Sequence, residues 1–264
     1  MTAAEIASTE RFGARVDAYV RARPGYPDAA AAMLGEVYGL GPQAQVADIG
    51  AGTGLSSLPF LRAGWQVTGV EPNAPMREAS RIWSAQFAGH RSIDGSAEHT
   101  GLPAASIDLA IAGQAFHWFD PAAFRREVLR ILKPEGALAL LWNSRVHEAS
   151  AFMQGYNELL LAHCPEYRAK WKGDDVGSKY ADAMRVVFGT ADYRIDAFAN
   201  QQTLDREGLI ARLDSDSYAP PPGTPAHHAM IDDARRLFDA HAEDGVVHLI
   251  YRTRVFHARP ARSA

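Results

Sequence analysis

The stretch ADIGAGTG, residues 47–54, sets one carboxylate, Asp48, just ahead of three glycines at 50, 52 and 54. Glycine has no Cβ, so such a run lets the backbone turn tightly and approach a ligand closely. A second carboxylate, Glu71, ends the next apolar run, WQVTGVEP. An acid at the end of the second strand of a βαβ pattern can accept hydrogen bonds from both hydroxyls of a ribose. A third cluster, GQAFHWFDP at 113–121, lays Phe116, His117, Trp118 and Phe119 side by side between a strand pattern and a helix start. Asp120 is suited to the N-cap and Pro121 to the first helical position, so the rings belong to a loop and must pack at the mouth of something. A histidine among them has an unperturbed pKa suited to taking a proton near neutrality.

The spacing narrows the ligand. A nicotinamide fingerprint places its third glycine three residues after the second, but position 55 is Leu55 and the third glycine comes one step earlier. A phosphate-cradling P-loop would end in Gly-Lys-Ser/Thr, which is absent here. His163, His227, His228, His241 and His257 lack metal-ligand spacing and read as solvated. Asp174-Asp175 reads as a solvated turn, so no metal site is expected.

The elements that position these residues alternate strand with helix. Asp28 is expected to cap a helix running to about Tyr38, with Ala30, Met33, Leu34 and Val37 on one face. QVADIGAG enters the glycine loop, and a helix over 55–63 is expected to kink at Pro59. Asn73 starts a helix with Met76, Ala79, Trp83 and Phe87 at helical spacing. A short strand follows near Ser92 to Asp94, then SIDLAIAG, which is apolar apart from Asp108 as befits a strand covered on both faces. Helix 121–132 turns Phe124, Val128, Leu129 and Leu132 inward, and GALALLWN follows a turn at 134–136. Further helices are expected at 149–163, 180–188, 203–213 and 228–242, with strands at DYRIDAFAN and VVHLIYRTRVF. SYAPPPGTPAHH, with its four prolines, is a loop.

This rhythm predicts an α/β fold: a doubly wound, mostly parallel seven-stranded sheet whose ligands gather beyond the carboxyl ends of its strands. Residues 1–145 form the ligand-binding half, 146–190 a helical cap over the ligand edge, and 191–264 the last two strands and C-terminal helices of the same domain. Asn143 and Arg145, a polar pair ending an apolar strand, stand where an acceptor would be held.

The chain has 264 residues and a net charge of -4, with no basic run resembling a nucleic-acid stripe. No stretch approaches the length of an apolar membrane span, and the first residues, MTAAEIASTERF, do not read as a signal peptide. The single cysteine, Cys164, rules out an internal disulfide and points to the cytoplasm. Its simplest role is that of a small, partly buried hydrophobe.

VADIGAGTG, GVEPNAPM, GSAEHTGLP, IDLAIAGQAFHWFD and RILKPEGALALLW resemble, in order, the successive motifs of class I S-adenosylmethionine-dependent methyltransferases. The resemblance covers about residues 12–142. It is strongest to the methyltransferase type 11 group near its trans-aconitate-methyltransferase-like branch, which QTLDREGLIARLDSDSYAP also resembles. The resemblance implies S-adenosyl-L-methionine as cofactor, carried over Asp48, Gly50, Gly52 and Gly54, with its ribose on Glu71 beside Pro72. It implies Ser96, Ala97 and Glu98 beside the adenine and Gln114 under the methionine portion. YVRARPGYP, residues 19–27, is similar to the branch's lid, with Tyr19, Arg23 and Tyr26 at its aromatic and basic positions. There the Arg23 fork would pair with the cofactor carboxylate.

The implied reaction moves a methyl group to a small-molecule acceptor. Phe116, Trp118 and Phe119 would wall the reaction space, with His117 either a base or a shaping residue and Tyr218 closing over the acceptor. Asp216 departs from the branch, which often has a basic residue there, and this counts against a strongly anionic acceptor. The alternatives are an NAD-dependent oxidoreductase or a methyltransferase acting on a macromolecule. Monomer and homodimer remain equally open.

Overall fold

The computed structural model describes residues 23–170 and 180–262; the expected lid residue Tyr19 and the turn at Asp174-Asp175 lie outside them. The strands are β1 (Gln45–Ile49), β2 (Gln66–Val70), β3 (His90–Ile93), β4 (Ile107–Gly113), β5 (Leu132–Arg145), β6 (Arg194–Leu204) and β7 (Val247–Ala258). They form one seven-stranded sheet in the order β3-β2-β1-β4-β5-β7-β6, with β1 to β5 paired in parallel. The sheet is mixed and mostly parallel, as the sequence rhythm predicts. The chain winds outward from β1 to β3 and then returns to lay β4 on the other side of β1. That reversal opens a crevice beyond the carboxyl ends of β1 and β4, where the loops of such sheets meet ligands.

The described residues divide into two compact units. One takes 25–143, 180–198 and 253–262; the other takes 23–24, 144–170 and 199–252. In the first unit the period of two along each strand sorts side chains into two cores. Ala47, Ile49, Ala110, Ala112, Leu138 and Leu140 face one core, which α4 (Pro121–Ile131) and α7 (Ala181–Phe188) cover with Phe124, Val128, Met184 and Phe188. Val46, Leu109, Ile111, Ala139 and Leu141 face the other, under α1 (Asp28–Tyr38) and α2 (Leu58–Arg62). Burial on both faces explains the continuous apolar runs of β1 and β4. Asp108, the polar exception, accepts from Lys133 Nζ and from the Gln45 N–H, at 2.9 Å each.

In the second unit, α5 (Ala151–His163), α6 (Pro165–Lys170), α8 (Arg206–Asp214) and α9 (Pro225–His241) accompany a core of Met153, Tyr156, Leu160, Cys164, Leu213, Met230 and Leu249. Cys164 is fully enclosed, and burial pushes its thiol up to about 11, which keeps it inert.

Several expectations change in detail. Asp28 lies inside the first turn of α1 and pairs with Arg62, while Pro27 holds the N-cap; of the expected face, Val37 is exposed and Ala31 is buried in its place. Pro59 does not kink a helix. It sits in the first turn of α2, where its missing N–H costs nothing. The expected turn at 134–136 is instead a bulge within β5, since β4 advances from Ile107 to Leu109 while its partner advances from Leu132 to Ala137. Thr224 caps α9 with Pro225 behind it, so that helix begins earlier than 228. Asn73 and Asp120 cap as expected, accepting from the N–H groups of Met76 and Ala123 at 3.0 and 2.7 Å. Residues 181–188, grouped with the cap by sequence, bury Met184, Val187 and Phe188 in the core beside α4. His257 is enclosed rather than solvated, held between the Tyr38 hydroxyl and Asp196 at 2.8 Å each.

Candidate functional site

The crevice residues are placed by backbone conformations that only glycine adopts cheaply. Gly50, Gly52 and Gly54 have φ of 68°, 56° and 86°. Two of them serve different ends. A Cβ at Gly50 would meet the Ala115 Cβ at 2.7 Å and the Phe119 ring at 3.0 Å, so this glycine lets the loop after β4 pack onto the loop after β1. Among the described residues, a Cβ at Gly52 would meet nothing within 4 Å. Gly52 therefore borders open space that a ligand can enter.

Glu71 lies beside this space and is nearly buried. Its Oε2 accepts from the Gly52 N–H at 2.8 Å and its Oε1 from the Asn73 N–H at 2.9 Å. Burial raises its pKa, against these two N–H groups and Arg77. Two lone-pair sites on its oxygens remain for further donors. Arg77 also donates to the Glu71 carbonyl at 2.7 Å, which fixes the strand end. Pro72 is exposed at the same turn.

Asp48 points from β1 into the interior and is fully buried. Its Oδ2 accepts from the hydroxyls of Ser56 and Ser57 at 2.7 Å each, while Oδ1 has no hydrogen-bond partner among the described residues. Burial raises its pKa to about 6 despite the two hydroxyls.

Ser96 and His99 close a turn after β3, with the Ser96 N–H donating to the His99 carbonyl at 3.0 Å. Ala97 is buried within it, and the Glu98 carboxylate accepts from the Asp120 N–H at 3.3 Å, tying this turn to the start of α4. Gln114 takes a φ of 56°, uncommon outside glycine. Its side chain is locked against β5, accepting from the Asn143 N–H at 3.0 Å. The Asn143 side chain donates to the Gly25 carbonyl at 3.1 Å and accepts from the Thr253 hydroxyl at 2.5 Å, so it serves as a tie within the fold. Tyr26 is buried, its hydroxyl close to Gly113 and Ser56.

The aromatic run splits into two roles. Phe116 is buried edge-on to Phe119, and Phe119 packs on Phe124 with ring centroids 4.8 Å apart. These two rings brace α4 and the glycine loop. His117 and Trp118 are exposed, their rings tilted against each other with centroids 4.7 Å apart, and the His117 ring also lies 5.6 Å from that of Trp142. Of the remaining candidates, Arg23, Arg145 and Tyr218 belong to the second unit, where Arg23 pairs with Asp216 at 3.2 Å and Arg145 donates to Tyr218. The sequence reading missed Ser56 and Ser57 as partners of Asp48, and Phe119 as the support of Gly50. Two consecutive serines shortly after the glycine loop were the available signal.

The match to known proteins falls on these loops. The family described as methyltransferase domain matches residues 47–140, from the strand holding Asp48 to the middle of β5. The chain is 38% identical over 136 residues to an uncharacterized methyltransferase of Mycobacterium tuberculosis, covering 51% of this chain and 52% of that protein. The chain thus spans about half the length of these curated relatives. A methyltransferase-like protein of Schizosaccharomyces pombe is 25% identical across 96% of both chains. In fold, the chain is similar to a candidate type II methyltransferase from Anaeromyxobacter dehalogenans, with a TM-score of 0.67, 21% identity, and coverage of 90% of this chain and 97% of that one.

Proposed function

We propose that the chain transfers a methyl group from S-adenosyl-L-methionine to a small-molecule acceptor. The observation that carries this reading is the pairing of Glu71 with Gly52: a carboxylate with acceptor capacity to spare, fixed beside a glycine whose Cβ position faces open space. The orphaned Asp48 Oδ1, behind the same loop, fits a site completed by a cationic ligand.

When bound, the cofactor supplies an activated methyl on a sulfonium, so the protein needs mainly to align, to exclude water and sometimes to accept a proton. Glu71 would hold the ribose hydroxyls, the backbone of 50–54 the methionine portion, and the turn 96–98 the adenine. Gln114, locked against β5, would support the methionine side. Phe116 and Phe119 keep the loops in register, while His117 and Trp118 offer an aromatic face to the acceptor. His117 would orient the acceptor by one hydrogen bond, with shape counting for more than proton transfer. Within this reading we assign the chain to the trans-aconitate-methyltransferase-like branch, on the resemblance of its motifs alone. The net charge of -4 and the enclosed Cys164 favour a cytoplasmic enzyme with no nucleic-acid partner, and among the described residues no helix is long and apolar enough to cross a membrane.

Parallel calorimetric titrations with S-adenosylmethionine, its demethylated product and NAD test the reading. Saturable binding of the first two is expected, and binding of NAD alone would overturn it. A mass-spectrometric screen for acceptors that gain one methyl then identifies the substrate.

A further inference from the structure

The second unit holds a polar cluster that its described residues leave unbalanced. Arg212, 2% exposed, donates to Asp216 Oδ1 at 2.9 Å, to the Ser215 hydroxyl at 3.0 Å and to the Tyr251 hydroxyl at 3.4 Å. Arg145 donates to Asp216 Oδ2 and, through both terminal nitrogens, to the Tyr218 hydroxyl, each at 3.1 Å. Asp216 is itself enclosed; burial would push its carboxyl up, but Arg212, Arg145 and Arg23 outweigh that and hold it well below the usual carboxylate range. Among the described residues, the enclosed guanidinium of Arg212 and the part-buried one of Arg145, its side chain 12% exposed, thus draw on one carboxylate even before Arg23 is counted. Buried charge persists when it is paired and hydrogen-bonded, and one anion cannot neutralise two such cations.

Two donors in this cluster have no acceptor. The Arg145 Nε and the fully buried Tyr156 hydroxyl lack hydrogen-bond partners among the described residues, and the Arg145 guanidinium lies 5.4 Å from the Tyr156 ring centroid. Buried polar groups without partners are rare, and each calls for an explanation. A net cation with unused N–H and O–H donors calls for an anion, and the planar guanidinium fork matches a carboxylate. The surroundings are apolar and aromatic, with the Tyr167 and Tyr218 rings 5.1 Å apart and Phe152 and Leu160 in the same core. We infer that Arg145 and Tyr156 form a binding site for a small carboxylate with an apolar body. Asp216, whose acidity counted against an anionic ligand in the sequence, is here an internal counter-ion that offsets only part of the charge.

The site is tested on the full chain with no methyl donor present, so its failure is separable from failure of the methyl-transfer reading. Benzoate is the probe, with neutral benzamide and inorganic phosphate as comparisons, read by calorimetry and thermal melting. Benzoate should bind saturably and raise the melting temperature, benzamide should do neither, and phosphate should bind more weakly. Tyr156→Phe keeps the ring and removes only a hydroxyl with no hydrogen-bond partner among the described residues. The ligand-free variant should melt no lower than the parent, yet bind benzoate about tenfold more weakly, the worth of one hydrogen bond to a charged group. Asp216→Asn removes the competing anion, and its benzoate affinity should rise about tenfold. No saturable benzoate response, an equal response to benzamide, tighter binding of phosphate, or parental affinity in Tyr156→Phe would each overturn the assignment.

Discussion

Asp48→Asn isolates the cost of keeping a carboxylate inside the sheet. In the folded chain burial raises this carboxyl from its ordinary 3.8 to about 6, so between those values the folded state binds a proton that the unfolded chain has released. Its contribution to stability is therefore fully present below pH ~3.8 and is lost as the pH rises through about 6. A shift of roughly two units, at ~1.4 kcal/mol each, makes the ionised form cost about 3 kcal/mol, of which about 2 kcal/mol develops between pH ~4 and ~7. Asparagine does not titrate, so relative to the parent the variant should gain that ~2 kcal/mol across the interval. Any constant penalty from its new amide donors cancels in the comparison. Urea unfolding of both proteins at a series of pH values measures it. A stability difference that stays flat from pH ~4 to ~7 would show that Asp48 titrates normally and would refute the argument. At pH ~7.5 the variant should also bind S-adenosylmethionine about tenfold more weakly, because the orphaned oxygen no longer carries charge toward a cationic ligand.

Glu71→Ala should weaken S-adenosylmethionine binding by about 2 kcal/mol, since it removes the proposed ribose acceptor and strands the Gly52 and Asn73 N–H groups; unchanged affinity in calorimetry would detach the ribose from β2. Gly52→Val should lower stability by ~1–2 kcal/mol through the left-handed backbone alone, and should abolish cofactor binding by filling the open space beside Glu71. A folded variant that binds normally would make the loop purely structural. Trp118→Ala should reduce kcat/KM more than His117→Asn, with neither deficit responding to pH. If His117 is a base, its variant should instead lose about 10²-fold, with the loss shrinking as pH rises.

The glycine loop and its acid were legible because their chemistry is local: three positive-φ glycines and a strand-end carboxylate leave marks within a few residues. The sheet was legible from the alternation of strand with helix and from the continuous apolar runs of β1, β4 and β5, whose side chains supply both cores. Failures came where a residue's role depends on partners distant in sequence. His257 reads as a solvated histidine, yet Tyr38 and Asp196, far away in the chain, enclose it. Arg212 drew no notice in the sequence, and its partners Asp216, Ser215 and Tyr251 explain its burial. Pro59 and the 134–136 stretch failed differently, because a proline serves equally as a helix breaker or a helix starter, and a Pro-Glu-Gly sequence serves equally as a turn or a bulge.

The contact of Gly50 with Ala115 and Phe119 couples two loops that sequence alone presents as independent. Neither can be remodelled alone, since any side chain at 50 would displace the other loop, and a larger residue at 115 would displace the glycine turn. Diversification is thereby channelled to the positions free of that contact, His117 and Trp118, whose rings face outward. Variants with new acceptor preferences, whether selected in the laboratory or drawn from related chains, should accumulate their changes at 117 and 118 while leaving the donor machinery intact.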